Sequence, residues 1–386
     1  MAAEDDLESN RSATDGRVAS HNVTQQHILS KPRTKRDADI ANLPRDTRST
    51  VLRRHTRMDH TKLIDIVRRP LSPDTQVEVA ASREECDQVL EILEDEGARY
   101  PQLLYDSART VAIVVAAPSP LHGRMAYELV TNIRDEVMRS QGIDAAVKSR
   151  VSGENDTTNT RSTAHGRTTR AWDSALFYSE DDGDTLMIAV EVGVSQRYES
   201  LRRAISWCVA ALHCRLGIAM CIHEEKRGQP LPVLYYNSTD DSETAIADAK
   251  EEFLHQLVGS PYGPLVWNGT TWMGTVSRVQ LETYRPPQEE NYSPDALLRP
   301  TRSFTVIREG QFVGGDVPPN LHELVLGDCI PSHILSDGVM EAKPLNFFQR
   351  DWFELKFRGA LLRTALGRLE RQAQIVAPNS ESGPPF

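Results

Sequence analysis

The sequence predicts an α/β chain, with a mixed central sheet flanked by helices and an N-terminal region expected to be disordered. Three observations carry this expectation. Apolar runs of strand length alternate with stretches whose apolar residues recur at helical spacing. Several of those runs are apolar on both faces, as strands buried inside a sheet are. Residues 1–75, by contrast, are polar, rich in Arg, Asp and Thr, and without a sustained apolar period.

The elements are expected in the following order. Ser82 followed by Glu85 matches a capping box, and Val89, Leu90, Ile92 and Leu93 then give a helix its apolar face up to Gly97. Thr110–Ala117 is a buried strand, Pro118-Ser-Pro-Leu-His122 a turn, and Leu121–Ser140 a helix striped by Leu129, Ile133 and Val137. Residues 149–170 hold Ser, Thr, Asn, Asp and Arg with no apolar anchor and are expected to be an exposed loop. Asp173–Tyr178 is a strand, Glu180–Asp184 an acidic hairpin turn, and Thr185–Val194 a long apolar strand. A helix starting at Ser195 or Gln196 runs to Cys214 with Leu201, Ile205, Cys208 and Leu212 as its core stripe, and Gly217–His223 is another buried strand. Val233–Tyr236, Thr275–Tyr284 and Ser303–Ile307 are strand candidates, Asp241–Leu257 is helical, and Leu324–Ile330 is an apolar segment that could close the sheet. A basic helix spans Phe348–Gln374 and a tail follows. The organisation expected is therefore a disordered region over 1–75, a domain over 76–340, and a C-terminal helix and tail over 341–386.

The totals bound what such a chain can do. Its 386 residues suffice for one large domain or two small ones, and 39% hydrophobic content allows a packed core. The net charge of −11 is uneven: Lys31–Arg69 is basic and the remainder is acidic. An acidic body is not the signature of a tight, non-specific nucleic-acid binder, unless a local basic channel or a divalent cation offsets it. None of the five cysteines lies in a CxxC pair, so free thiols are expected rather than disulfides or zinc. The N-terminus has no apolar stretch of signal-peptide type, and no run approaches the ~20 apolar residues of a membrane span. An intracellular location without membrane association is expected. Lys31-Pro-Arg-Thr-Lys-Arg36 is a candidate nuclear-import signal or nucleic-acid contact, against the plainer reading of a solvated basic tail.

Glu191 is the residue that asks for an explanation. It stands in a run of Leu, Met, Ile, Ala and Val, where an unpaired carboxylate costs several kcal/mol. A basic partner, hydrogen bonds, an open strand end or a cation must compensate. Asp173 opens the preceding strand across the hairpin, so a splayed pair of strands brings two acids toward one point. Two neighbouring carboxylates repel each other and favour Mg²⁺, an oxygen-seeking cation. The alternative for both acids is a salt bridge to Arg202 or Arg203, or simple solvation at a strand end. His122 and His223 are expected to be helix-start and strand-end residues rather than ligands.

The order helix 121–140, Asp173 strand, Glu191 strand, helix 196–214 and strand 217–223 resembles the PD-(D/E)XK superfamily. Val190-Glu-Val-Gly-Val-Ser-Gln196, Tyr198-Glu-Ser-Leu-Arg-Arg203, Trp207, Tyr105-Asp-Ser107 and Pro118-Ser-Pro-Leu-His122 are similar to a group of fungal nuclease-like proteins within it. The resemblance covers about residues 100–235. It implies a restriction-endonuclease-like mixed central sheet and Mg²⁺-dependent hydrolysis of nucleic-acid phosphodiesters. It further implies a metal held by Asp173, Glu191 and the Val192 carbonyl, with Glu128 or Glu136 as a further ligand. Two positions depart from the pattern: Trp172 stands for the family's Pro, and Gly193 for its Lys. In some relatives the basic role moves to the next helix, which places Gln196 and Arg203 beside Asp173 and Glu191 as candidate catalytic residues. An arginine cannot serve as a general base near neutral pH. The missing Lys therefore keeps a second reading open, a catalytically inactive nuclease-fold module that binds nucleic acid or protein. No phosphate-binding loop, dinucleotide fingerprint or nucleophile elbow is present in the sequence. The oligomeric state is not fixed by it.

Overall fold

The computed structural model describes residues 60–97, 101–163, 165–194, 198–225, 229–287, 293, 297–313, 323–335 and 338–376. In chain order the elements are α1 (His60–Val67), β1 (Gln76–Ala80), α2 (Arg83–Asp95), β2 (Gln102–Asp106), β3 (Val111–Val115), α3 (Pro120–Arg139) and α4 (Ala145–Ser149). Then come β4 (Val151–Thr163), β5 (Gly166–Glu180), β6 (Gly183–Val194), α5 (Tyr198–Ala211), β7 (Leu216–Glu224), β8 (Leu234–Tyr236) and α6 (Thr239–Gly259). The remainder is β9 (Leu265–Trp267), β10 (Thr270–Met273), β11 (Val276–Tyr284), β12 (Arg302–Arg308), β13 (Gln311–Phe312), α7 (Gly338–Glu341), α8 (Arg350–Gln372) and β14 (Ala373–Ile375).

Among the described residues one large mixed sheet runs in the order β1-β3-β2-β5-β6-β7-β11-β12-β13, with β4 alongside β5. β6 and β7 are parallel, joined by the crossover helix α5, while the other pairs of this sheet are antiparallel. Helices cover both faces. Ile188, Val190 and Val192 of β6 belong to the larger core with α3 and α8, whereas Ala189 packs with Leu201, Ile205 and Cys208 of α5. That is the period-2 alternation of a strand buried on both sides. α5 approaches β7 closely at Gly217, where a Cβ would fall 2.7 Å from Ile205 Cγ1 and 2.8 Å from Val209 Cγ2, so only glycine fits.

The expected strands and helices of the 82–224 region are present, and so is the capping box: Ser82 Oγ accepts the Glu85 amide at 3.2 Å and Glu85 Oε2 accepts the Ser82 amide at 2.6 Å. β11 and β12 extend the sheet as expected. Four expectations need correcting. Residues 149–170 are not a loop; β4 and the first half of β5 form a long hairpin, held in part by cross-strand pairs such as Thr160 Oγ1 with Thr169 Oγ1 at 2.9 Å. Order begins before residue 76, because Leu63 and Val67 of α1 are buried against α2 in a cluster with β1, β2 and β3. The expectation for residues 1–59 lies outside the described residues. The segment after 340 is not separable, since Phe353, Phe357, Leu361 and Leu369 of α8 lie in the main core with α3. Leu326–Asp328 forms a 3₁₀ turn instead of a closing strand. No helix among the described residues is long and apolar enough to cross a membrane.

Candidate functional site

β5 is longer than the neighbours on one of its sides, and the site lies where it changes partner. Its C-terminal half pairs with β6 from Glu180↔Gly183 to Ser174↔Val190, and its N-terminal half meets β2 at Tyr105↔Thr169. Asp173 and Glu191 are the next opposed residues in that register, one step past the last β5–β6 pair. With the strands parting, the Val192 amide needs an acceptor, and Asp173 Oδ2 supplies it at 2.6 Å.

The first turn of α3 brings the second component. Ser119 caps the helix by accepting the His122 amide, and Pro120 begins it. His122 Nε2 stands 2.8 Å from Asp173 Oδ2, a close ion-pair contact off the line of a hydrogen bond. Its Nδ1 lies 3.1 Å from Asp74 Oδ1, which also accepts the Ser119 amide at 2.7 Å. Burial opposes the charge on His122, but Asp173 and Asp74 outweigh it and hold the imidazole well above its ordinary value, as an imidazolium. Burial likewise raises Asp74, and the His122 contact with the Ser119 hydrogen bonds brings it below the usual carboxylate value.

Glu191 is the uncompensated member. It is 7% exposed, and its Oε1 has no hydrogen-bond partner among the described residues. Burial first, and then the charge of Asp173, push its carboxyl well above the usual range, while His122 and Arg170 pull the other way. The carboxyl therefore holds its proton to higher pH than an ordinary glutamate does. Arg170, buried at the outer half of β5, pairs with Asp106 at the end of β2. Arg109 lies 4.0 Å from Asp106 and bonds Glu78 at 2.7 Å, so a chain of alternating charges leads from the surface to Glu191. Cys208 of α5 also faces this acid, and burial together with Glu191 raises its thiol well above the ordinary value.

Asp173 and Glu191 are thus brought together, and Val192 adjoins them through its amide. Gln196 lies outside the described residues. Arg203 does not join the acids: it lies 4.0 Å from Glu199 and acts on Glu78, while Arg202 bonds the Leu298 carbonyl at 2.7 Å. The salt bridge weighed for Asp173 and Glu191 is made for Asp173 by His122, while Glu191 feels Arg170 only through its charge. Glu128 pairs with Arg124 and Lys356, and Glu136 with Arg139, so neither adds a ligand. Among the described residues no group of three or more His, Cys, Asp and Glu side chains is arranged to hold a metal ion. Any cation here would rest on two carboxylates and backbone or water oxygens, a set that suits Mg²⁺ better than a transition metal.

Sequence reasoning missed Asp74, His122 and Arg170 as site residues. A signal existed for His122, because an imidazole in the first turn of a helix faces the positive end of the dipole and is favoured as a cation only beside an acid. No protein-family model matches the chain, and no curated protein matches it.

Proposed function

We propose that the chain is a PD-(D/E)XK nuclease-like protein, with a restriction-endonuclease-like sheet, that hydrolyses nucleic-acid phosphodiesters with Mg²⁺ at Asp173 and Glu191. The observation that carries this reading is the buried Glu191 Oε1, without a partner among the described residues and opposite Asp173. A carboxyl in that position either keeps a proton or gives it up to a cation. The succession α3, β5, β6, α5, β7, with β5–β6 antiparallel and β6–β7 parallel, supports it.

In this reading Asp173, Glu191 and the Val192 carbonyl would hold Mg²⁺, which would supply an acidified water and offset charge on the phosphate. The Val192 amide and His122 both engage Oδ2 of Asp173 and so orient the carboxylate. His122 supplies the fixed positive charge that Gly193 cannot. The test is calorimetric titration of Mg²⁺ and Mn²⁺ in two buffers of different ionisation enthalpy, with a nuclease assay alongside. Uptake accompanied by proton release, absent from Glu191→Gln, is expected. No uptake by the wild-type chain overturns the reading.

A second reading has its own support. Gly193 at the Lys position and an imidazolium against Asp173 both favour a nuclease-fold module that binds nucleic acid or protein without cleaving. It predicts nucleic-acid binding in chelator with no cleavage on adding metal.

A further inference from the structure

The seam between α3 and α8 holds a feature that the acid site does not use. α8 crosses the first turn of α3, where Thr364 Oγ1 accepts the Leu121 amide at 2.8 Å. Beside that crossing, Pro120, Gly123, Arg124 and Tyr127 on one face of α3 and Arg363 on α8 line a groove of about 390 Å³. From this groove we infer a binding site for one nucleotide unit of a nucleic-acid strand, its phosphate on Arg363 and Arg124 and its base against Tyr127. The inference rests on the nucleic-acid reading above and adds where the strand lies.

Charge is the first argument. Arg124 and Arg363 both line the groove, and Glu128, which pairs with Arg124, is shared with Lys356 at 3.1 Å. Arg363 is exposed and makes no ion pair among the described residues. In a chain of net charge −11 this is a local excess of cations, the kind a phosphate requires. The second argument is the aromatic surface. Tyr127 is 42% exposed, and the Arg124 guanidinium lies 5.6 Å from its ring centroid. Exposed aromatic and guanidinium planes beside cations are how single strands are held without sequence preference.

The third argument is the groove floor. A Cβ added at Gly123 would meet only Pro118 Cγ, at 3.9 Å, so the space above this position is open. The amides of the first turn are not free for an anion: Leu121 donates to Thr364, His122 to Ser119 Oγ and Gly123 to the Ser119 carbonyl. Recognition therefore falls to side chains. His122, next in sequence to Gly123, turns its imidazole to Asp173, so the groove and the acid site share the first turn of α3.

The experiment is fluorescence anisotropy of a labelled single-stranded oligonucleotide on the full chain in chelator, so that metal uptake plays no part. Arg363→Glu and Gly123→Leu should each weaken binding about tenfold, Tyr127→Ala about fivefold, and Arg363→Ala should lower the salt slope by about one. Circular dichroism melts of each variant check folding, and Gly123→Leu serves as the variant that fills space without removing a contact. Wild-type affinity in all the groove variants overturns the inference, as does AMP binding as tightly as the oligonucleotide. A wild-type chain that takes Mg²⁺ but no oligonucleotide sinks the groove and leaves the metal site standing. Groove-dependent binding without Mg²⁺ uptake does the reverse.

Discussion

His122 Nε2 stands 2.8 Å from Asp173 Oδ2, and the same ring reaches Asp74 with its other nitrogen at 3.1 Å. One imidazolium thereby ties three separate segments together: the turn before β1, the first turn of α3 and the point where β5 leaves β6. The arrangement orients Asp173, and it does so at the expense of a buried positive charge that needs both carboxylates.

Replacing His122 by Gln should therefore destabilise the fold, because two carboxylates lose their cation. Breaking a buried pair costs about 3–5 kcal/mol, and the 24% exposure of the Asp173 side chain puts the expected loss at the lower end. The pH dependence follows from the direction of the shift. A histidine raised above its ordinary 6.5 contributes stability that is complete below that value and is lost as pH rises through the folded-state pKa. Urea midpoints of the wild type should decline on the alkaline side of neutrality, and His122→Gln should show a shallower decline, the part that Glu191 contributes. Parallel curves would refute the assignment.

Arg170→Met should also be costly, since Asp106 would remain buried without its partner. A loss of about 3 kcal/mol is expected in urea unfolding. Adding Asp106→Asn should recover a good part of it, and the coupling in the double-mutant cycle should exceed about 1 kcal/mol. Additive losses would mean that Arg170 acts through packing alone.

Removing residues 1–75 tests the boundary of the folded body. A chain starting at Gln76 loses Leu63 and Val67 from the cluster under β1–β3, and it loses Asp74 from His122. It should melt at a lower temperature than a chain starting at residue 60, with the His122-dependent decline in alkali weakened. Equal melts would show that α1 adds nothing.

The parts of the fold that were legible are those where one face or both are apolar. β6 stood out because Glu191 is the only charge in its run, and the Asp-Gly turn joined it to β5. The β4–β5 extension hid because polar residues line both of its faces, which erases the period-2 contrast; its threonines were the remaining signal. Asp74 and His122 are far apart in sequence, and nothing local pairs them. Arg203 shares a helical face with residues near the acids, but its side chain lies 4.0 Å from Glu199 and acts on Glu78 instead.

Glu191→Gln is the most informative substitution. In the wild type burial and Asp173 hold the folded-state carboxyl above the ordinary glutamate value of 4.5, near which the unfolded chain ionises. The folded state then binds the extra proton, so stability falls with pH from there up to the raised folded-state pKa, by about 1.4 kcal/mol per pH unit for one proton. Gln keeps the shape and cannot ionise. In chelator the variant should match the wild type near pH 4 and become progressively more stable than it toward neutrality. Under a metal series the order should invert: Mg²⁺ or Mn²⁺ should raise the wild-type melting temperature as RT ln(1 + [L]/Kd) and leave the variant unmoved. If the carboxyl served only as a partner for Arg170, the variant would instead be less stable in chelator at neutral pH, and metal would shift neither protein. Thermal melts of both chains at pH 4, 5.5 and 7, with and without Mg²⁺, separate these outcomes in one set of measurements.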